Sequence, residues 1–268
     1  MKKTLALLAL LLAALFLFAA CELKPAAPFQ LGPYREGGGG RTLLEGSGRM
    51  ETKTVALPVE TESFALEVTG ISFQGLGKAE AGIVVDESLE RAVVLEADDN
   101  ITARIDIRVD GAGNITAEAD RKTVIVSPTR LQLRVGAPVS KVVINGAWKL
   151  EYDCPGVTEC DVELNGAANG NFKFDALDTL RVDINGAGNC VFSGTARRAA
   201  ITLNGAAQVS AFDLYAREAA VTINGASSCE ITVEENLRAE INGVGTIVYD
   251  GEPEVKRAVH GLGSVRKR

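Results

Sequence analysis

Histidine is nearly absent from this chain. His260 stands alone among 268 residues, so any mechanism that needs two histidines is excluded. Aromatic residues are scarce as well, at 5% with a single Trp. Positive charge is in deficit: 28 Lys and Arg against 35 Asp and Glu give a net charge of −7, and a nucleic-acid partner is excluded on that balance. The glycines open no helix, so neither a P-loop nor a dinucleotide-binding fingerprint is present. What the chain does have is apolar material, 46% hydrophobic against 24% charged, which suits a packed core and rules out wholesale disorder.

The N-terminus gives an address. Lys2 and Lys3 precede an apolar run from Leu5 to Ala20, short for a bilayer span and closing on small residues. Residues 1–20 therefore read as a signal peptide. Ala19-Ala20-Cys21 resembles the bacterial lipobox, although Phe18 replaces the usual Leu, and Cys21 is the expected lipidation site. Residues 21–45 read as the lipidated Cys and a flexible linker, rich in Pro and closing on Gly37 to Gly40. Glu22 after the Cys favours the outer membrane where the envelope has two.

Beyond the linker the dominant signal is repetition. Asn-Gly recurs at Asn145-Gly146, Asn165-Gly166, Asn185-Gly186, Asn204-Gly205, Asn224-Gly225 and Asn242-Gly243, spaced by 18 to 20 residues. Imperfect copies stand at Asp110-Gly111 and His260-Gly261. One residue before the Asn lie Ile144, Leu164, Ile184, Leu203, Ile223 and Ile241. Three before it lie Val142, Val162, Val182, Ile201 and Val221, with polar residues between. That alternation is the inward face of a strand. Hairpins are the competing reading of Asn-Gly. The residues after each Gly are poor strand formers, however, and the fixed period would bring each column onto itself at ~4.8 Å per turn. The expectation is an all-β fold, a right-handed parallel β-helix with about 20 residues per turn, Asn laddering at the corners and Gly making the bend.

The run Gly46-Ser47-Gly48, the Ile-Asn-Gly-Ala corners and the ending Gly243-Val244-Gly245, Tyr249-Asp250-Gly251-Glu252-Pro253 and Gly261-Leu262-Gly263-Ser264-Val265 resemble the auto-transporter adhesin head GIN domain family. The resemblance covers residues 46–265, leaving 266–268 as a basic tail, and is strongest in the C-terminal half. It implies a β-helix, export and often a lipid anchor; it defines no biochemical activity.

Candidate sites are few. Cys190 and Cys229 share an inward column two turns apart, ~9–10 Å and beyond disulfide reach. Cys154 and Cys160 bracket the turn Pro155 to Glu159, and a bridge between them is left open, since export permits oxidation. Tyr152, Phe172 and Phe192 repeat on three turns and read as core rather than a carbohydrate stack. Trp148 is either an exposed contact or packed on an irregular N-terminal turn. Asp161, Glu163 and Asp183 cluster on the solvent face, where Lys141 and Arg181 make a salt-bridge ladder the simpler reading than a calcium site or a catalytic pair.

No catalytic residue, metal or cofactor is expected. The functional expectation is a cell-envelope lipoprotein acting as a non-enzymatic binding or structural element. Its partners would be the membrane through the lipid anchor, an extracellular glycan or protein, and a second copy of the chain through the open end of the helix. The alternatives are a polysaccharide-modifying enzyme on the same fold, or a periplasmic scaffold.

Overall fold

The computed structural model describes residues 34–37, 41–74, 81–119, 123–126 and 128–268. Cys21, the signal peptide and most of the linker expected from the sequence lie outside these residues. From Val139 onward the chain winds as a β-solenoid of about six turns, each turn about 20 residues from the next.

The winding follows from the column pattern. Four long strands, Ala167–Ile184, Ala187–Leu203, Ala206–Ile223 and Ala226–Ile241, each run from one corner to the next and pair in parallel with their neighbours. Register holds Val162 against Val182, Val182 against Ile201, Ile201 against Val221 and Val221 against Ala239. All five side chains are buried. The second inward column is Leu150, Cys190, Val209, Cys229 and Ile247, also buried. Cys190 and Cys229 are separated by Val209 in that register, as the spacing predicts. Alternation with period two thus fills one continuous core that runs the length of the solenoid.

The corners are held twice. Each corner amide donates to the turn before it: Asn165 to the Ile144 carbonyl, Asn185 to Leu164, Asn204 to Ile184, Asn224 to Leu203 and Asn242 to Ile223, at 2.8–2.9 Å. The side chains repeat the pattern. Asn165, Asn185, Asn204, Asn224 and Asn242 each donate from Nδ2 to the Oδ1 of the preceding corner Asn, at 2.7–2.9 Å. The glycines serve closeness more than backbone freedom. Of the corner glycines only Gly146 has a positive φ, at 150°. At Gly166, Gly186, Gly205, Gly225, Gly243 and Gly261 a Cβ would stand 1.7–2.1 Å from the carbonyl oxygen of the glycine one turn earlier.

Both imperfect copies are resolved, with opposite outcomes. His260-Gly261 is a true corner: His260 N donates to Ile241 O at 2.8 Å and Leu262 N to Gly243 O at 2.9 Å. Asp110-Gly111 is not. It turns a hairpin in which Ile105–Val109 pairs antiparallel with Asn114–Ala119. The Asp110 carboxylate closes that turn by accepting from the amides of Ala112 and Asn114 and from Asn114 Nδ2, bonds that hold its pKa below the usual carboxylate value.

The turn stacked under Asn145 comes instead from Thr69-Gly70, far earlier in the chain. Ile144 pairs with Val68, and Asn145 N donates to Val68 O at 2.8 Å. Leu66 and Val68 occupy the same two inward positions before Thr69 that Val142 and Ile144 hold before Asn145.

The N-terminal portion closes that end of the core with mixed pairing. Ala92–Asp98 lies antiparallel to both Met50–Ala56 and Leu131–Val135, and Ala81–Asp86 runs parallel to Leu131–Val135 and Ala147–Asp153. A separate four-stranded sheet joins Tyr34–Gly37, Arg41–Glu45, Thr123–Val126 and Ser72–Gln74, so the end of the expected flexible linker, residues 21–45, is instead paired as strands. Buried Asp98 ties three segments together: Oδ1 accepts from Gly48 N at 2.7 Å and Thr129 Oγ1 at 2.8 Å, and Oδ2 from Thr129 N at 2.7 Å.

At the far end, Arg266, Lys267 and Arg268 continue the last coil rather than forming a tail. Strand Leu262–Lys267 pairs with Val244–Asp250, Arg268 N donates to Tyr249 O, and the Arg268 guanidinium lies 4.6 Å from the centre of the Phe212 ring.

Candidate binding face

Because inward columns and corners are consumed by the scaffold, any ligand chemistry must come from the outward columns. The aromatic column offers none. Tyr152, Phe172 and Phe192 are buried, and Phe172 stacks on Phe192 with centroids 4.7 Å apart and planes 9° from parallel. Trp148 is 4% exposed and packs beside Gly146 at the first Asn corner, so it belongs to the irregular turn and not to a contact surface.

The four cysteines among the described residues, Cys154, Cys160, Cys190 and Cys229, are free thiols and buried. Cys160 donates to Tyr152 Oη at 3.6 Å, and Cys154 donates to Ala137 O at 3.7 Å. Burial pushes the Cys154 and Cys190 thiols up to about 11 and those of Cys160 and Cys229 up to about 12. Burial likewise raises the Tyr152 hydroxyl, which donates its proton to Val139 O. Groups held neutral in this way are packing elements and not nucleophiles.

The acidic cluster on the first face resolves into separate duties. Asp161 lies in register between Lys141 and Arg181, and the Arg181 guanidinium reaches its Oδ1 at 3.1 Å. Glu163 Oε1 accepts from the corner amide Asn165 Nδ2 at 2.7 Å. Asp183 stands in the Glu163 column, one turn on. The carboxylates follow the ladder and do not converge on a point. Among the described residues no group of three or more His, Cys, Asp and Glu side chains is placed to hold a metal ion. His260 is exposed at its corner.

The feature that sequence reasoning missed lies further along the same face. Register sets Arg181, Ala200, Ala220, Arg238 and Lys256 in one outward column. Two residues earlier on each turn runs a second outward column of Thr179, Arg198, Glu218, Asn236 and Glu254. Where the first column shrinks to alanine on two consecutive turns, the surface sinks into a groove of about 450 Å³. Its floor is Ala200 and Ala220, over buried Ala199 and Ala219. Arg181 stands at one end and Arg238 three turns on, ~14 Å away at ~4.8 Å per turn, with Glu254 and Lys256 lining the groove one turn further.

The groove is cationic within an acidic protein. Arg181, Arg198, Arg238 and Lys256 line it against Glu218 and Glu254. Arg238 is loosely held by Glu240 at 3.7 Å and Lys256 by Glu254 at 3.4 Å. Arg198 has no carboxylate among the described residues; its polar contact is a 3.4 Å donation to Thr179 Oγ1. The signal in the sequence was the pair of alanines, Ala200 and Ala220, at a position where the neighbouring turns carry Arg or Lys.

Comparison with known proteins agrees with this architecture. The sequence profile of the family described as "Putative auto-transporter adhesin, head GIN domain" matches residues 76–253. No curated protein matches the chain in a sequence search. Among solved structures, a "putative adhesin" from Bacteroides fragilis is similar over 84% of this chain and 100% of its own, with a TM-score of 0.65 at 18% identity. One from Parabacteroides distasonis covers the same shares with a TM-score of 0.56 at 16% identity. A "putative lipid binding protein" from Parabacteroides distasonis matches 84% of this chain and 99% of its own, with a TM-score of 0.54 at 19% identity. At these identities the likeness is one of fold.

Proposed function

The chain belongs to the auto-transporter adhesin head GIN domain family, and from that premise we propose that it is an exported envelope protein, anchored by lipid at Cys21, that binds ligands through the side of its solenoid without transforming them. The observation that carries this reading is the disposition of the polar side chains. Asp161 and Glu163 serve an exposed ion pair and the Asn ladder, while a groove further along that side is floored by alanine and lined by arginine, lysine, glutamate and asparagine. A hydrolase or lyase needs an acid and a base aimed at one bond. The groove supplies charge and shape for holding a ligand, and its carboxylates Glu218 and Glu254 lie on the same wall, two turns apart in one column, rather than facing each other across one bond. The two or three acyl chains of a lipidated Cys21 would hold the body stably at the envelope.

The experiment is protease and antibody accessibility of the folded body on intact cells expressing the full chain, beside a Cys21→Ala version. Exposure of the parent chain, with release of the variant into the medium, supports the reading. Protection until the envelope is opened overturns the adhesin part of it and moves the protein to the periplasm.

Self-association is a second reading, favoured by the exposure of the last coil, where Leu262 is 70% and Val259 is 41% exposed beside an unpaired strand edge. Sedimentation over a range of concentrations separates the two, since end-to-end pairing makes the mass rise with concentration.

A further inference from the structure

We propose that the alanine-floored groove between Arg181 and Arg238 is a binding site for a short, linear acidic oligosaccharide, its carboxylates held by Arg181, Arg198 and Arg238 and its rings lying on Ala200 and Ala220. The proposal deepens the binding reading above and rests on it.

Charge selects the sign of the ligand. Four cationic side chains and two carboxylates line this groove; Asp161 and Glu240 pair with Arg181 and Arg238 from outside it, and Arg198 is the cation that no carboxylate reaches within 4.0 Å among the described residues. Arg198 is the sharpest indicator, because a guanidinium offers up to five donors in a planar fork suited to a carboxylate, and here it has a single long contact to a hydroxyl. Arg181 is held by Asp161 through one nitrogen at 3.1 Å, and Arg238 and Lys256 by their carboxylates at 3.7 and 3.4 Å, so an acid in the groove recruits them without stripping a bidentate pair.

Shape and wall chemistry select the class. Recognition of an extended peptide draws on a free strand edge or on apolar pockets for alternate side chains. Neither is present: the strands that form the floor are paired on both sides, and the floor is methyl groups. A polyacidic peptide would set a carboxylate at every residue against Glu218 and Glu254, with only its backbone N–H groups to donate to them. Sugar rings present C–H faces that lie flat on the two alanines, and hydroxyls that both donate and accept. Glu218, Glu254 and Asn236 accept from hydroxyls, and the guanidinium groups donate to hydroxyls and carboxylates alike. No aromatic ring lines the groove, so charge rather than stacking carries the affinity, and binding is sensitive to salt.

The test is calorimetric titration of the full-length chain, solubilised in detergent, with a uronic-acid trimer, a neutral hexose trimer of the same linkage, and a hexaglutamate peptide. The expected result is binding of the uronate alone, about tenfold weaker in Arg198→Ala, abolished in Ala220→Trp, which fills the floor, and weakened between 50 and 500 mM salt, roughly as the Debye length shortens. Circular dichroism on each variant confirms the fold. No uronate binding, binding indifferent to Arg198→Ala and Ala220→Trp, or equal binding of hexaglutamate overturns the proposal, the last by making the occupant an acidic peptide. Failure here is distinguishable from failure of the broader reading. A chain that is exposed on cells and binds a surface ligand through another face keeps the binding role while this site is withdrawn.

Discussion

Replacing Gly205 by Ala tests the claim that the corners are glycine because successive turns touch there. A Cβ on Gly205 would lie 1.8 Å from the Gly186 carbonyl oxygen and 2.7 Å from its carbon, both of them backbone atoms that no rotamer change can move. To reach an ordinary contact of about 3.2 Å the turns must part locally by more than 1 Å, and the bonds at that corner are short. Ala206 N to Gly186 O is 2.9 Å, Asn204 N to Ile184 O is 2.9 Å, and Asn204 Nδ2 to Asn185 Oδ1 is 2.7 Å. Losing two or three of these at ~1 kcal/mol each gives ~2–3 kcal/mol, before any strain passed to the turns on either side. The control is Gly111→Ala. The sequence aligns Gly111 with the corner glycines, yet it sits in the Asp110 hairpin with open space where a Cβ would go and no positive φ. There the same change is neutral or stabilises by ~0.4–1 kcal/mol by restricting the unfolded chain. Urea unfolding followed by circular dichroism reads both. Gly205→Ala should lower the midpoint clearly while Gly111→Ala holds or raises it. Equal midpoints for the two variants would refute the argument from close approach. Asn204→Ala should fall between them, since it removes two amide bonds of a part-exposed ladder and leaves the backbone spacing intact.

Three further outcomes are expected. Four cysteines in the folded body, Cys154, Cys160, Cys190 and Cys229, should resist a thiol reagent in the native state and react after unfolding, and a count of two would show Cys154 bridged to Cys160. Because their folded pKa values stand at about 11 to 12 against an ordinary 9.0, the unfolded chain releases these protons first. Stability should be full below pH 9 and fall as pH rises from there towards 12, measurable as a declining urea midpoint. Phe192→Ala removes a fully buried ring stacked at 4.7 Å on Phe172 and should cost ~3–5 kcal/mol by the same measurement. Asp98→Ala leaves Gly48 N, Thr129 N and Thr129 Oγ1 without their acceptor. It should open the segment around Gly48 to limited proteolysis while the far coils stay protected.

The solenoid was legible in the sequence wherever one turn copies the last. From Val139 to Lys267 each column meets itself, so a period found in one dimension becomes a contact in three. Asp110-Gly111 carries the period without the coil, because Val109 and Ile107 give the right alternation for either a hairpin or a coil. What decides is the partner, and Ile105–Val109 pairs with the strand that follows it. The period also passes over Thr69-Gly70, where Thr stands for Asn under the same inward pair, Leu66 and Val68. The mixed N-terminal pairings join segments distant in the chain, such as Met50–Ala56 with Ala92–Asp98, and no local spacing encodes them. The groove escaped notice for a different reason: it is made by two small side chains in an outward column, and alanine carries no chemical signature until its neighbours are known to be arginines.

The glycine corners have an evolutionary consequence. A turn whose bend is fixed by bare backbone touching bare backbone, and whose inward positions need only be apolar, leaves its outward positions nearly free of folding duty. Substitution there can redraw charge and relief on one face while the coil persists; the fold itself is shared with structures at only 16–19% identity. Such a scaffold separates two kinds of selection. Mutations that alter what is held on the surface are drawn from a pool that scarcely overlaps with those that alter whether the chain folds, so recognition can diversify quickly between close relatives without passing through unstable intermediates.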